Sequence, residues 1–126
     1  NVHRYFLYLA LLFILVLAHD VWKALWFYDP ATGRSSLGVG VGTLVLAVNV
    51  VLLGGYTFGC HSLRHLVGGF LDQFSKAPTC YQAYACVSCL NRRHMLWAWL
   101  SLFWVAFSDI FIRLCALGLW HDWRIV

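Results

Sequence analysis

Apolar positions along this chain fall into three long runs separated by polar stretches. In the first, Tyr5–Ala18 is unbroken, and His19, Asp20 and Lys23 then sit among Val21, Trp22, Leu25, Trp26 and Phe27. Crossing a bilayer takes roughly 20 apolar residues at about 1.5 Å rise each. The pattern therefore predicts a span over about 4–28, with its polar residues at or inside the far interface. Asp29–Pro30 stops that helix, and Ala31–Gly38 reads as a polar turn. A second span is predicted over about 38–60, with Asn49 as its strongly polar side chain. Gly38, Gly40, Gly42, Gly54 and Gly55 would let neighbouring helices approach closely or make room for a bulky cofactor. The third span, about 93–119, is apolar and aromatic over Met95–Phe107. Ser108, Asp109 and Arg113 interrupt it before Leu114–Trp120 resumes. Asp109 and Arg113 stand at i, i+4 with the acid first, the favourable order for a helical ion pair.

Between the second and third spans lies a connector, about 67–91. Gly68–Gly69 ends the preceding helix, and Pro78 suits the first turn of a short amphipathic helix. That helix would carry Cys80, Tyr81, Tyr84, Cys86 and Cys89 and break at Asn91. The fold expected is all-α and integral to a membrane: three transmembrane helices and a short connector helix, in one anchor domain over residues 1–126.

Composition sharpens this reading. The chain is 62% hydrophobic and 11% charged, against about 45–50% and about 25% in soluble domains. A soluble enzyme is thereby excluded, and no nucleic-acid partner is expected. The five cysteines do not suggest a secreted disulfide framework. Asn1 stands where an initiator Met would, and no signal-peptide pattern follows it. The chain reads as a piece of a longer subunit.

Three spans put the start of the first, the end of the second and the start of the third on one side. Arg4, Arg64, Lys76, Arg92 and Arg93 fall there, with Asp72. Lys23, Arg34, Arg113 and Arg124 fall on the other side, with Asp20, Asp29, Asp109 and Asp122. The Lys/Arg excess assigns the first side to the cytoplasm, and the connector with it. Trp120, Trp123 and Arg124 read as an anchor at the opposite interface.

Candidate chemistry collects at the cytoplasmic edge. Tyr56–His65 places one thiol, two imidazoles and a guanidinium in six residues, and His3 and His94 belong to the same side. If the helix continues, His61 and His65 share a face, as do Cys60 and Arg64. Cysteine and histidine together suit a Rieske-type 2Fe–2S centre, imidazoles alone a b-type haem, and the whole set a quinone pocket; contact with lipid head groups is the plain alternative. Cys86-Val-Ser-Cys89, with Cys80 before it, is open to three readings: packed small residues, iron–sulfur ligation or zinc. On the far side, His19/Lys23 and Asp109/Arg113 fall at similar depth. They fit either an ion-pair network between the first and third spans or a proton relay.

Three stretches carry a family resemblance: Tyr56-Thr-Phe-Gly-Cys-His-Ser-Leu-Arg-His-Leu-Val-Gly-Gly69, Leu90-Asn-Arg-Arg-His-Met-Leu-Trp-Ala-Trp-Leu-Ser-Leu102 and Asp109-Ile-Phe-Ile-Arg-Leu114. They resemble the membrane anchor subunit of a bacterial succinate dehydrogenase/fumarate reductase, respiratory complex II, of the mycobacterial Sdh1-like class. Such anchors have about five spans, so the resemblance implies the C-terminal part of a five-helix anchor in the bacterial inner membrane, multi-pass and bound to lipid. It implies a flavoprotein that oxidises succinate, an iron–sulfur subunit that passes electrons on, and quinone as the acceptor. The succinate site would lie in another chain, and the anchor would carry no catalytic residue of its own. A membrane Rieske-type 2Fe–2S cluster is implied, with Cys60, His61, His65 and His94 as candidate ligands. Arg64, Ser62 and Trp97 are the candidate quinone contacts. Haem b held by the histidines is the alternative cofactor, and a structural anchor or small transporter without a redox group is the alternative class. A larger homo-oligomer of the complex is expected.

Overall fold

The computed structural model describes residues 2–29, 33–69 and 78–125. Three helices in it are long and apolar enough to cross a membrane: α1 (Val2–Ala24), α2 (Val41–Phe58) and α5 (His94–Ala116). Two shorter helices, α3 (His61–Gly68) and α4 (Pro78–Asn91), lie between α2 and α5. A two-stranded antiparallel hairpin, β1 (Trp26–Asp29) and β2 (Arg34–Leu37), joins α1 to α2. The predicted all-α anchor is thus present with one addition.

That addition corrects the first predicted span. The helix ends at Ala24, and Trp26–Asp29 is a strand paired in the register Trp26↔Leu37, Phe27↔Ser36, Tyr28↔Ser35, Asp29↔Arg34. Bulky aromatics favour a pleated strand. Gly33, at φ 65°, supplies the left-handed turn residue, and its N–H donates to Asp29 O at 2.9 Å. The predicted polar turn over Ala31–Gly38 is in part this second strand; residues 30–32 lie outside the described residues, as do 70–77 of the connector with Asp72 and Lys76.

α2 is the central helix. α1 and α5 each pack along it, and α4 packs chiefly on α3. Its buried positions are mostly small or polar: Thr43, Val45, Asn49, Gly54, Gly55 and Thr57. Gly55 is needed for the α2–α5 approach, because a Cβ there would stand 2.5 Å from Cε3 of Trp97. Trp104 Nε1 donates to Val45 O at 2.9 Å and ties the same helices together. Ser101 and Ser108 of α5 are buried and donate to Ala98 O and Trp104 O of their own helix. Large apolar side chains face outward instead, as the hydrocarbon of a bilayer allows.

The hairpin end is closed by the C-terminal tail. Gly118, at φ 73°, ends α5: Leu119 N–H donates to Leu114 O and Gly118 N–H to Cys115 O, both at 3.0 Å. The tail then returns to the start of α2. Val41 N–H donates to Trp123 O (3.0 Å), Gly42 N–H to Asp122 Oδ1 (2.7 Å), and Ile125 N–H to Val39 O (2.7 Å). Arg124 donates to Ser36 Oγ and Leu37 O, both at 3.1 Å, and sits over the Phe27 ring. Gly40 and Gly42, predicted as helix-packing glycines, make room for the Asp122 carboxylate.

Candidate functional site

At the opposite end, α2 does not run on into His61. Cys60 takes an extended conformation (φ −68°, ψ 137°), and its carbonyl accepts from both Leu63 N–H and Arg64 N–H at 3.1 Å. Cys60 is therefore the first residue of a new helix start, at a corner behind Gly59. Gly59 is itself tight: its carbonyl accepts from Asn91 Nδ2 at 2.7 Å, and a Cβ there would lie 3.2 Å from the Leu90 carbonyl. The predicted break at Asn91 is thus also the contact that holds the corner against α4.

This corner turns the Cys60 side chain inward, where it is buried. From the start of α1, His3 Nε2 approaches Cys60 Sγ at 3.0 Å, and its ring stacks on that of His61 with centroids 4.8 Å apart and planes 10° from parallel. The ligand-type atoms of His3, Cys60 and His61 all lie within 4.8 Å of one another. Thiolate and neutral imidazole are ligands for iron–sulfur clusters and for zinc. A group of this size suits a metal centre.

Of the predicted ligands, Cys60 and His61 stand in this group, while His65 and His94 stand outside it. His65 lies one turn along α3 from His61, as predicted, but lines a cleft instead. His94 begins α5 and stacks on Tyr56 at 4.7 Å, with its buried Nδ1 lacking a hydrogen-bond partner. The third donor is His3, a residue placed on this side by topology and not singled out as a ligand. Cys80, Cys86 and Cys89 are exposed on α4, apart from the group.

The cleft beside the group has a volume of about 280 Å³ and is lined by His61, Arg64, His65, Gly68, Gly69 and Tyr84. Arg64 Nη2 donates to Tyr84 Oη at 2.6 Å, and the guanidinium stands 5.0 Å from the Tyr84 ring centroid. Arg64 Nε is buried and has no partner. Gly68 is what lets Tyr84 lie this close, since a Cβ there would overlap the Tyr84 ring. Ser62 is buried off this face of α3, and Trp97 packs over Gly55. The predicted trio Arg64, Ser62 and Trp97 is therefore not gathered in one cleft. Tyr84 stands beside Arg64 in the cleft, a placement that only the packing of α3 on α4 reveals.

At the far end, Arg113 Nε donates to Asp109 Oδ2 at 2.8 Å, with both side chains exposed. The predicted i, i+4 pair is formed within α5. The wider network with His19 and Lys23 is not formed among the described residues, where α1 and α5 each pack chiefly on α2.

Residues 1–118 match a family model described as actinobacterial succinate dehydrogenase subunit SdhC. Among solved structures, the chain is similar to one from the Mycobacterium smegmatis Sdh1 complex in the apo form, with a TM-score of 0.86 and 43% sequence identity. The match covers 100% of this chain and 46% of that one, so the chain spans about half the length of its solved relative. No curated protein matches.

Proposed function

The chain belongs to the actinobacterial succinate dehydrogenase subunit SdhC family, a multi-pass bacterial membrane protein, and from that premise we propose that it conducts electrons from a peripheral iron–sulfur subunit to quinone. The observation that carries this reading is the double position of His61. It belongs to the three-donor group with His3 and Cys60, and it also lines the cleft that holds Arg64 and Tyr84. A carrier held by the group and a quinone held in the cleft would share one imidazole between them.

The donor set matches a Rieske-type 2Fe–2S cluster in kind and in its imidazoles, but among the described residues it supplies only one of the two thiolates: Cys60 would give that thiolate, and His3 and His61 the two imidazoles. Such a cluster, when bound, supplies a one-electron carrier at the membrane edge. The protein's own part is to hold and orient. Stacked at 4.8 Å and nearly parallel, His3 and His61 present their nitrogens side by side. Two imidazoles set side by side next to a thiol would suit a cluster that takes both histidines and a cysteine, which is what supports the cluster over the b-haem alternative. In the cleft, the Arg64 guanidinium and the Tyr84 hydroxyl are donors for a quinone carbonyl oxygen, and they stabilise negative charge as it develops there. The succinate site lies in a flavoprotein partner. The peripheral subunits dock on the side that exposes Arg92 and Arg93, where positive charge steers an acidic surface.

The test is made on the purified complex. Cys60→Ser should abolish a 2Fe–2S EPR signal and quinone reduction, while succinate oxidation by an artificial soluble acceptor survives. A haem α-band that persists in Cys60→Ser and is lost in His61→Ala would overturn the cluster reading.

A further inference from the structure

Quinone reduction consumes protons as well as electrons: one quinone, two electrons and two protons give one quinol. A cleft that holds the quinone therefore needs a proton donor, and its lining can be taken residue by residue. Arg64 keeps its charge and gives up no proton near neutral pH. Its guanidinium donates to Tyr84 Oη at 2.6 Å, and a phenol releases its own proton only near about pH 10. His61 is committed to the donor group. Gly68 and Gly69 bring no side chain. Among the described residues that line the cleft, His65 remains, and imidazole is the side chain that takes up and releases a proton near neutral pH.

The end of α3 is shaped around this ring. His65 stands in the last turn, and its carbonyl accepts from Gly69 N–H at 2.8 Å, which closes the helix. A Cβ at Gly69 would overlap Nδ1 of the His65 ring. Gly69 thus leaves the imidazole its place in the cleft, as Gly68 leaves the Tyr84 ring its place on the facing wall. His65 is also exposed, so one ring reaches both the cleft and the water outside it.

Resting on the quinone reading above, we propose that His65 is the general acid of quinone reduction, handing a proton to the quinone oxygen that Arg64 and Tyr84 hold. The electrons arrive from the iron–sulfur side. An N–H bond of the imidazolium breaks and an O–H bond forms on the quinone, and the neutral ring is then recharged from water on the side where Arg92 and Arg93 are exposed. The second quinone oxygen takes its proton from water at the open edge of the cleft. The roles divide cleanly: Arg64 and Tyr84 bind and orient the oxygen, and His65 acts on it.

The test uses the purified complex with the full-length subunit and a soluble short-chain quinone. His65→Gln keeps a polar side chain of similar reach but delivers no proton. Its kcat for quinone should fall about a hundredfold or more, the range of general acid catalysis, while the KM for quinone, the 2Fe–2S EPR signal and succinate oxidation by an artificial soluble acceptor stay at wild-type levels. His65→Ala should behave alike, except that imidazole added to the buffer restores much of its kcat and none of that of His65→Gln. The proposal is overturned if either variant keeps the wild-type kcat, if the loss appears in KM alone, or if imidazole leaves His65→Ala unchanged. Should one variant fail to assemble, the other carries the test. Arg64→Gln is measured alongside. A raised KM there, with wild-type kcat in the His65 variants, removes only the proton role; an unchanged KM there means that quinone binds elsewhere, and the cleft reading itself fails.

Discussion

At the hairpin end of the bundle, the first turn of α2 has its N–H groups taken up by the C-terminal tail, through Trp123 O and Asp122. At the opposite end the same helix stops at Gly59, and the residues around the corner leave buried polar atoms without partners. Arg64 Nε, Ser88 Oγ and His94 Nδ1 are all of this kind. A buried polar atom left unpaired costs about 1–3 kcal/mol, and Asn49 Oδ1 in the middle of α2 is a fourth such atom. One end of the bundle is bonded to itself, and the other holds unused capacity beside a thiol and two imidazoles. That contrast is the one expected of the ligand site proposed above.

The largest expected effect separates the donor group from its neighbours. His3→Ala should remove the 2Fe–2S signal as fully as Cys60→Ser does, and His65→Ala should keep it. The outcome that breaks the comparison is the reverse, with His65 needed and His3 dispensable, because it would place the metal in the Arg64 cleft.

Next comes the cleft itself. Gly68→Val forces the Tyr84 ring away from α3 and with it the 2.6 Å contact to Arg64. A hydrogen bond to a charged group is worth about 1.5–3 kcal/mol, and about 1.4 kcal/mol is tenfold. The KM for quinone should rise about tenfold or more while iron content stays at the wild-type level. Loss of iron in this variant would mean that cleft and donor group are one site.

The third effect lies at the far end, on assembly. Arg113→Leu leaves Asp109 unpaired, and a carboxylate near membrane depth costs up to about 2.5–3.5 kcal/mol on insertion scales. The yield of complex in membranes should fall, and it should recover in the double variant Asp109→Asn/Arg113→Gln. Equal yields from single and double variants would show that the 2.8 Å pair contributes nothing.

Hydropathy made the three spans and the short α4 legible, because each depends on a local pattern of apolar residues and a Pro or Gly at its edge. The Asp109–Arg113 pair was legible for the same reason, as a spacing within one helix. What depends on chain returning from afar was not. The tail strand at Arg124 bridges to Gly40 across more than eighty residues, and no local signal marks Asp122 as a cap for α2. The donor group divides on the same line. Cys60 and His61 are neighbours in sequence and were found together. His3 reaches them across 57 residues, and Tyr84 reaches Arg64 across 20. The hairpin was missed because aromatic residues at Trp26–Tyr28 fit an interfacial helix end as well as a strand.

The smallest expected effect tests whether the bonded end is as separate from the site as its geometry implies. Asp122 Oδ1 accepts from Gly42 N–H at 2.7 Å, and the carboxylate faces the positive end of the α2 dipole. Asp122→Asn keeps an acceptor and loses the charge, which is worth about 0.3–1 kcal/mol near a helix terminus. Asp122→Ala loses the acceptor too, and removal of a helix cap costs about 0.5–2 kcal/mol. Thermal unfolding in detergent, followed by near-ultraviolet circular dichroism, should therefore rank wild type above Asn and Asn above Ala, with small steps. The EPR signal and the quinone KM should not move in either variant, because the α2 helix separates Gly42 from the Cys60 corner by 18 residues, about 27 Å at helical rise. A shift of either readout in Asp122→Ala would show that α2 transmits strain from its clasped end to the Cys60 corner, and the two ends would then have to be treated as one unit.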